Sequence, residues 1–142
     1  MIPPYLQQML KQLRLSGLLE SLPVRLSEAT GNSLSHAEFL ELVLSDELAV
    51  RSQRAIDRRL RQADFREMKT LEDFDWSFNH TVPKRRIHDL AAGGFLGQAR
   101  DVLLLGPPGT GKSHLCQAVG RCVAKAGHTV LYRSIFDVVR DF

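Results

Sequence analysis

Residues Gly106-Pro107-Pro108-Gly109-Thr110-Gly111-Lys112-Ser113 place glycines, a lysine and a hydroxyl within one short loop. They satisfy the pattern G-x-x-x-x-G-K-[ST] at every fixed position. Glycine admits backbone conformations that a side chain blocks, so successive N–H groups can turn inward on a phosphate chain. A helix starting at Lys112 would add its positive N-terminal end. Lys112 would reach the β- and γ-phosphates as a mobile charge, and the Ser113 hydroxyl would complete the shell of a Mg²⁺ bridging them. The alternative is a glycine-rich surface turn. The flanks favour the phosphate loop, because an apolar stretch ends at Gly106 and a helical pattern with Leu115, Ala118 and Val119 follows Lys112. The ligand expected is a nucleoside triphosphate with Mg²⁺.

A second constellation is basic. Arg51, Arg54, Arg58 and Arg61 recur at i, i+3, i+7 and i+10, which lines four guanidinium groups along one side of a helix, with Arg59 and Arg66 close by. Such a series is either a solvated face balanced by Asp57, Asp64 and Glu67 or a rail for phosphate contact. Arginine rather than lysine at these positions favours phosphate, because the planar fork grips oxygens in pairs.

The elements that must carry these residues follow from periodicity. Leu6, Leu10 and Leu13 mark a first helix, and Leu18, Leu19 and Leu22 a second after a break at Ser16-Gly17, with Pro23 expected to kink or restart it. Ser35 and Glu38 form a capping box that opens the longest helix, running to about Arg66 with an apolar stripe of Leu40, Val43, Leu44, Leu48, Ile56, Leu60 and Ala63. Leu71, Phe74, Trp76 and Phe78 punctuate a connector, and core packing is the expected role of these side chains rather than base stacking. Pro83 starts another helix, which ends before Gly93-Gly94. Val102–Leu105 and Thr129–Tyr132 read as strands on either side of a helix from Lys112 to about Lys125 that ends at Gly127, and Ser134 with Asp137 forms a further cap.

The whole chain is 142 residues, 44% hydrophobic and 25% charged, a balance that excludes disorder by composition and leaves room for one domain, or for one domain and part of another. No apolar run approaches the roughly 18 residues of a membrane span, and no signal peptide is visible, so the cytoplasm is the expected address. The formal charge of +3 makes anionic partners attractive. Cys116 and Cys122 suggest neither a disulfide nor a metal site, and the five histidines lack ligand spacing.

Phe39-Leu40-Glu41-Leu42 with Glu47, the arginine series, and Lys69-Thr70-Leu71-Glu72-Asp73-Phe74-Asp75-Trp76 ahead of the phosphate loop together resemble IstB, collinearly over nearly the whole chain. The resemblance implies an AAA+ ATPase that uses ATP and Mg²⁺, forms oligomers on DNA and assists a cognate transposase. It also implies relatedness to DnaC-type helicase loaders, so a loader of DNA replication is one alternative; an Arg-rich DNA-binding module without ATPase activity is another. The expected architecture is an α-helical N-terminal domain at 1–66 that binds DNA or a partner, a connector and helix at 67–98, and a truncated α/β P-loop core at 99–142. On that reading Gly106, Pro107, Pro108, Gly109, Thr110, Gly111, Lys112 and Ser113 hold the nucleotide, Ser113 meets the metal, and Arg51, Arg54, Arg58, Arg59 and Arg61 contact DNA. Members of such a family continue to an acidic strand end, a sensor residue and an arginine finger, none of which this sequence reaches by Phe142, so no catalytic residue is assigned. The strand order that the resemblance implies leaves the strands at 102–105 and 129–132 without neighbours, so the helical region at 5–66 is the expected stable unit and the segment from about 100 onward is expected to be loosely packed, aggregation-prone or rescued by an intermolecular partner.

Overall fold

A computed structural model describes residues 2–142. Its elements are α1 (Pro4–Gln12), α2 (Ser16–Gly31), α3 (His36–Ala63), α4 (Lys84–Ala91), α5 (Gly94–Gly97), α6 (Lys112–Lys125) and α7 (Ile135–Asp141). The chain divides into two compact units, one up to Ala55 and one from Ile56.

The expected α/β core is not present: among the described residues there are helices and turns and no strand. Residues 102–105 and 129–132 belong to no helix or strand: a strand requires a ladder of alternating backbone partners, and neither segment has one. Leu103, Leu105 and Leu131 are correspondingly exposed. Both segments instead line an apolar cavity of about 480 Å³ that Leu115, Val119 and Val123 of α6 also border. The Tyr132 N–H donates to the Ala63 carbonyl at the end of α3, over 2.8 Å, which anchors the second segment by its far end.

In the first unit α1, α2 and the N-terminal part of α3 enclose Ile2, Leu10, Leu18, Leu22 and Val43, with Leu6, Leu15, Leu19 and Phe39 packed around them. α1 stops because Arg14 turns left-handed (φ 56°), which lets the Leu15 N–H close on the Leu10 carbonyl at 2.9 Å. The break thus precedes Ser16. α2 passes through Pro23 without restarting, and Pro23 itself is exposed. Ser35 and Glu38 do form the capping box at the start of α3, with Ser35 N–H to Glu38 Oε2 at 2.8 Å and Glu38 N–H to Ser35 Oγ at 3.3 Å. The apolar stripe expected along α3 holds in part. Val43 and Ala63 are buried and Ile56 and Leu60 half-buried, whereas Leu40, Leu44 and Leu48 are exposed and the carboxylate Glu47 is buried.

In the second unit Leu71, Phe74, Ile87, Leu115 and Ala118 form the core, with Trp76, Leu90, Leu104 and Val119 around it. α4 packs on α6 and on the short α5. Gly127 (φ 113°) ends α6 as its sequence position implies, with His128 N–H closing on the Val123 carbonyl at 3.2 Å. Ser134 and Asp137 cap α7 reciprocally.

Candidate nucleotide site

The loop from Gly106 to Gly111 leads directly into α6, and the first helical bond runs from the Leu115 N–H to the Gly111 carbonyl at 2.9 Å. Gly109 (φ 76°) and Gly111 (φ 88°) take left-handed backbone that a side chain would strain. The N–H groups of the first turn of α6 have no intrahelical acceptor, and no acidic residue in that turn competes for them. Lys112 Nζ folds back over the loop to donate to the Pro107 carbonyl at 2.5 Å and to Thr110 Oγ1 at 3.3 Å. Thr110 Oγ1 itself donates to the Pro107 carbonyl at 2.9 Å. Ser113 is exposed on the first turn.

Beside the loop is a cavity of about 670 Å³ bordered by Gly106, Pro107, Thr110 and Lys112. Its other walls come from elements the sequence pattern did not connect with the loop: Thr81 and Pro83 before α4, Arg86 on α4, and Arg100 after α5. Arg86, Arg100 and Lys112 share the lining with Asp89 and Asp101, which leaves a formal excess of one positive charge (3 − 2) beside the loop. Only the tertiary fold brings them together, since 26 positions separate Arg86 from Lys112 (112 − 86).

The arginine series is divided. Arg51 and Arg54 belong to the first unit, where Arg51 Nε pairs with Glu47 Oε1 at 2.7 Å and Arg54 donates to Ser16 Oγ at 2.6 Å. Glu47 Oε2 accepts from the Gly17 and Leu18 N–H groups at 2.8 and 3.0 Å, capping the start of α2. Burial opposes ionisation of Glu47, but the bonds from Leu18, Arg51 and Gly17 outweigh it and hold the carboxyl below its ordinary range. Arg58, Arg59 and Arg61 belong to the second unit. Arg58 and Arg61 are exposed, whereas half-buried Arg59 turns its Nε to the Ala124 carbonyl at 2.8 Å, near the C-terminus of α6. Of the acidic residues expected to balance the rail, Asp64 pairs with Arg133 and Glu67 with Lys69.

The loop motif and the helix it opens define a class: a helical protein with a phosphate-loop sequence. Comparison with known proteins is more particular. The family model described as IstB-like ATP binding protein matches residues 8–142. A Mycobacterium tuberculosis protein, named for ATP binding and for its place in an insertion sequence, is 39% identical over 138 residues, 97% of this chain and 55% of that protein. The ATP-binding protein named for insertion sequence IS21 of Pseudomonas aeruginosa is 37% identical over 127 residues, 89% of this chain and 48% of its own. Its counterpart named for IS1162 of Pseudomonas fluorescens is 36% identical over 124 residues, 87% and 54% of the two chains. The chain therefore belongs to the IstB-like ATP-binding family, and it spans about half the length of the curated relatives it matches. No helix among the described residues is long and apolar enough to cross a membrane.

Proposed function

We propose that this chain is the ATP-binding portion of a helper protein of DNA transposition. The observation that carries the reading is the loop itself, whose Gly109 and Gly111 adopt left-handed backbone immediately before the N-terminus of α6. In this reading the N–H groups of Gly109, Thr110, Gly111, Lys112 and Ser113 receive the phosphates, and Gly106, Pro107 and Pro108 form the turn. Lys112 exchanges its bond to the Pro107 carbonyl for the β- and γ-phosphates. One hydroxyl cannot hold Mg²⁺ alone, so Ser113 suits the cation only when phosphate oxygens and water complete the shell. The nucleotide then supplies both charge and most of the metal ligands.

The arginines of α3, taken as Arg51, Arg54, Arg58, Arg59 and Arg61, are the proposed contacts to duplex backbone, with exposed Arg58 and Arg61 the best placed of them. A cognate transposase is the proposed protein partner, and the full protein is proposed to act as a homo-oligomer in the cytoplasm. The insertion-sequence names of the relatives favour transposition over helicase loading.

Binding of a fluorescent ATP analogue tests the nucleotide reading. Lys112→Ala should weaken Mg·ATP binding by roughly ten- to a hundredfold, the worth of a charge-assisted bond to phosphate. Ser113→Ala should remove most of the dependence on magnesium. Equal affinity in the parent and Lys112→Ala chains would refute the site. For DNA, affinity for a duplex should fall steeply with salt, and charge reversal at Arg54 and Arg58 should flatten that dependence. Binding that is indifferent to both leaves the arginines a solvated face.

A further inference from the structure

A segment outside the phosphate-loop motif runs antiparallel along α6 and meets it in steps of three residues. The Phe65 ring lies against Gly120, where an added Cβ would come within 3.0 Å of the ring. The Glu67 N–H donates to Gln117 Oε1 at 3.0 Å. His114 Nε2 is 2.7 Å from the Thr70 carbonyl, so that nitrogen must carry the proton. The Phe74 ring sits against Gly111, with Cε2 only 2.6 Å from the place a Cβ would take, and meets the His114 ring edge-on at 5.1 Å. Partners 65, 67, 70 and 74 thus pair with 120, 117, 114 and 111.

One of these contacts ends on the motif, and another is carried to it by Gln117. Gln117 is almost wholly buried, and while its Oε1 holds the strap its Nε2 reaches the Ser113 carbonyl at 3.4 Å. Phe74 fills the space beside Gly111, the residue whose left-handed backbone turns the loop into the helix. A buried polar side chain with both ends used is a fixed spacer, because losing either bond leaves a polar group without water. The bend at Phe74 is itself held locally, by the Thr70 and Asp73 side chains and by the Phe74 N–H to the Leu71 carbonyl at 3.4 Å.

We infer that residues 65–74 are a positioning strap for the phosphate loop, with Phe74, His114 and Gln117 setting the register between Gly111 and Ser113 without touching the nucleotide. The inference rests on the nucleotide-site reading above, and it deepens that reading by making triphosphate affinity depend on residues outside the motif. Its mechanism is pre-organisation: a loop whose N–H groups already converge loses less freedom when a phosphate chain arrives.

The test uses the full chain with His114→Leu, Gln117→Leu and the conservative His114→Gln, whose amide can still donate to the Thr70 carbonyl. Amide hydrogen exchange is measured without nucleotide at Leu115, whose N–H closes on the Gly111 carbonyl, and binding is measured for Mg·ATP and for AMP. Both leucine variants should speed exchange at Leu115 by about fivefold or more and weaken Mg·ATP binding by a similar factor while AMP binding holds, as the loss of at least one buried hydrogen bond dictates. His114→Gln should restore both. Unchanged exchange at Leu115 in the leucine variants overturns the inference, as does an equal loss of Mg·ATP and AMP binding, which would mark a general loosening. If the parent chain binds no Mg·ATP, the nucleotide-site reading fails while the exchange measurement still decides whether the strap holds the loop.

Discussion

The ring of Phe74 occupies the space into which a Cβ on Gly111 would project, with its Cε2 atom 2.6 Å and its Cζ atom 3.0 Å from that position. Gly111 is therefore required twice, by its left-handed φ of 88° and by a neighbour buried in the core of the second unit. Gly111→Ala should destabilise that unit by about 2–4 kcal/mol, adding backbone strain to overpacking, as read from denaturant titration. Gly31→Ala provides the contrast. It has nothing within 4 Å of its added Cβ and lies in α2, so it should be neutral or stabilise by up to about 1 kcal/mol. Similar losses in the two variants would contradict the packing account.

Glu47 is a carboxylate at 3% exposure that fastens the start of α2 to α3. Replacing it with alanine leaves the Gly17 and Leu18 N–H groups without their acceptor and should cost about 2–4 kcal/mol in thermal or chemical unfolding.

Acid should weaken the first unit through two carboxylates. The hydrogen bond from Arg25 holds Asp46 at about 2, against an ordinary value of 3.8, and Glu47 is held below 4.5. A carboxyl depressed by folding contributes its stability above the unfolded value and loses it as pH falls through the folded one. Stability should therefore decline as pH drops from about 4.5 toward about 2. In Glu47→Gln the upper part of that decline should flatten. An unchanged acid profile in Glu47→Gln, followed by circular dichroism, would show that Glu47 is not a source of the acid response.

Arg14 closes α1 in left-handed backbone, φ 56°, a position where glycine is at ease and arginine is not. Arg14→Gly should stabilise the chain by about 0.5–1 kcal/mol despite the freedom glycine gains when unfolded. Calorimetric melting measures it, and a lower melting temperature would mean that the arginine side chain contributes more than the strain removes.

Arg58 and Arg59 are neighbours in sequence with opposite placements. Arg59→Ala removes the donor to the Ala124 carbonyl near the C-terminus of α6 and should cost about 1–2 kcal/mol of stability. Arg58→Ala, at an exposed position, should leave stability within about 0.5 kcal/mol. If duplex binding follows Arg59 more strongly than Arg58 after correction for folded fraction, the division between a supporting and an outward arginine is wrong.

Local rules alone settled a definite part of this protein. The Ser35–Glu38 and Ser134–Asp137 caps, the stop at Gly127, and the glycine–lysine loop opening α6 each depend on residues within a few positions of one another, so their chemistry can be read in order along the chain. Family membership was equally legible, because whole collinear stretches carry it. What depended on distant partners was not. Residues 102–105 and 129–132 have the composition of strands, but a strand is a ladder of bonds between backbones, and neither segment has one here. A carboxylate joins Val43 on the inward side of α3, where α2 presents two N–H groups to Glu47, while Leu44 and Leu48 of the expected apolar stripe stay exposed. Arg59 left the basic series because a carbonyl near the end of α6 lies within its reach, and the pairing of Phe74 with Gly111 joins positions 37 apart in sequence (111 − 74). Spacing assigns a residue to a helix and a side of it; the surroundings of that side exist only once the chain has folded back on itself.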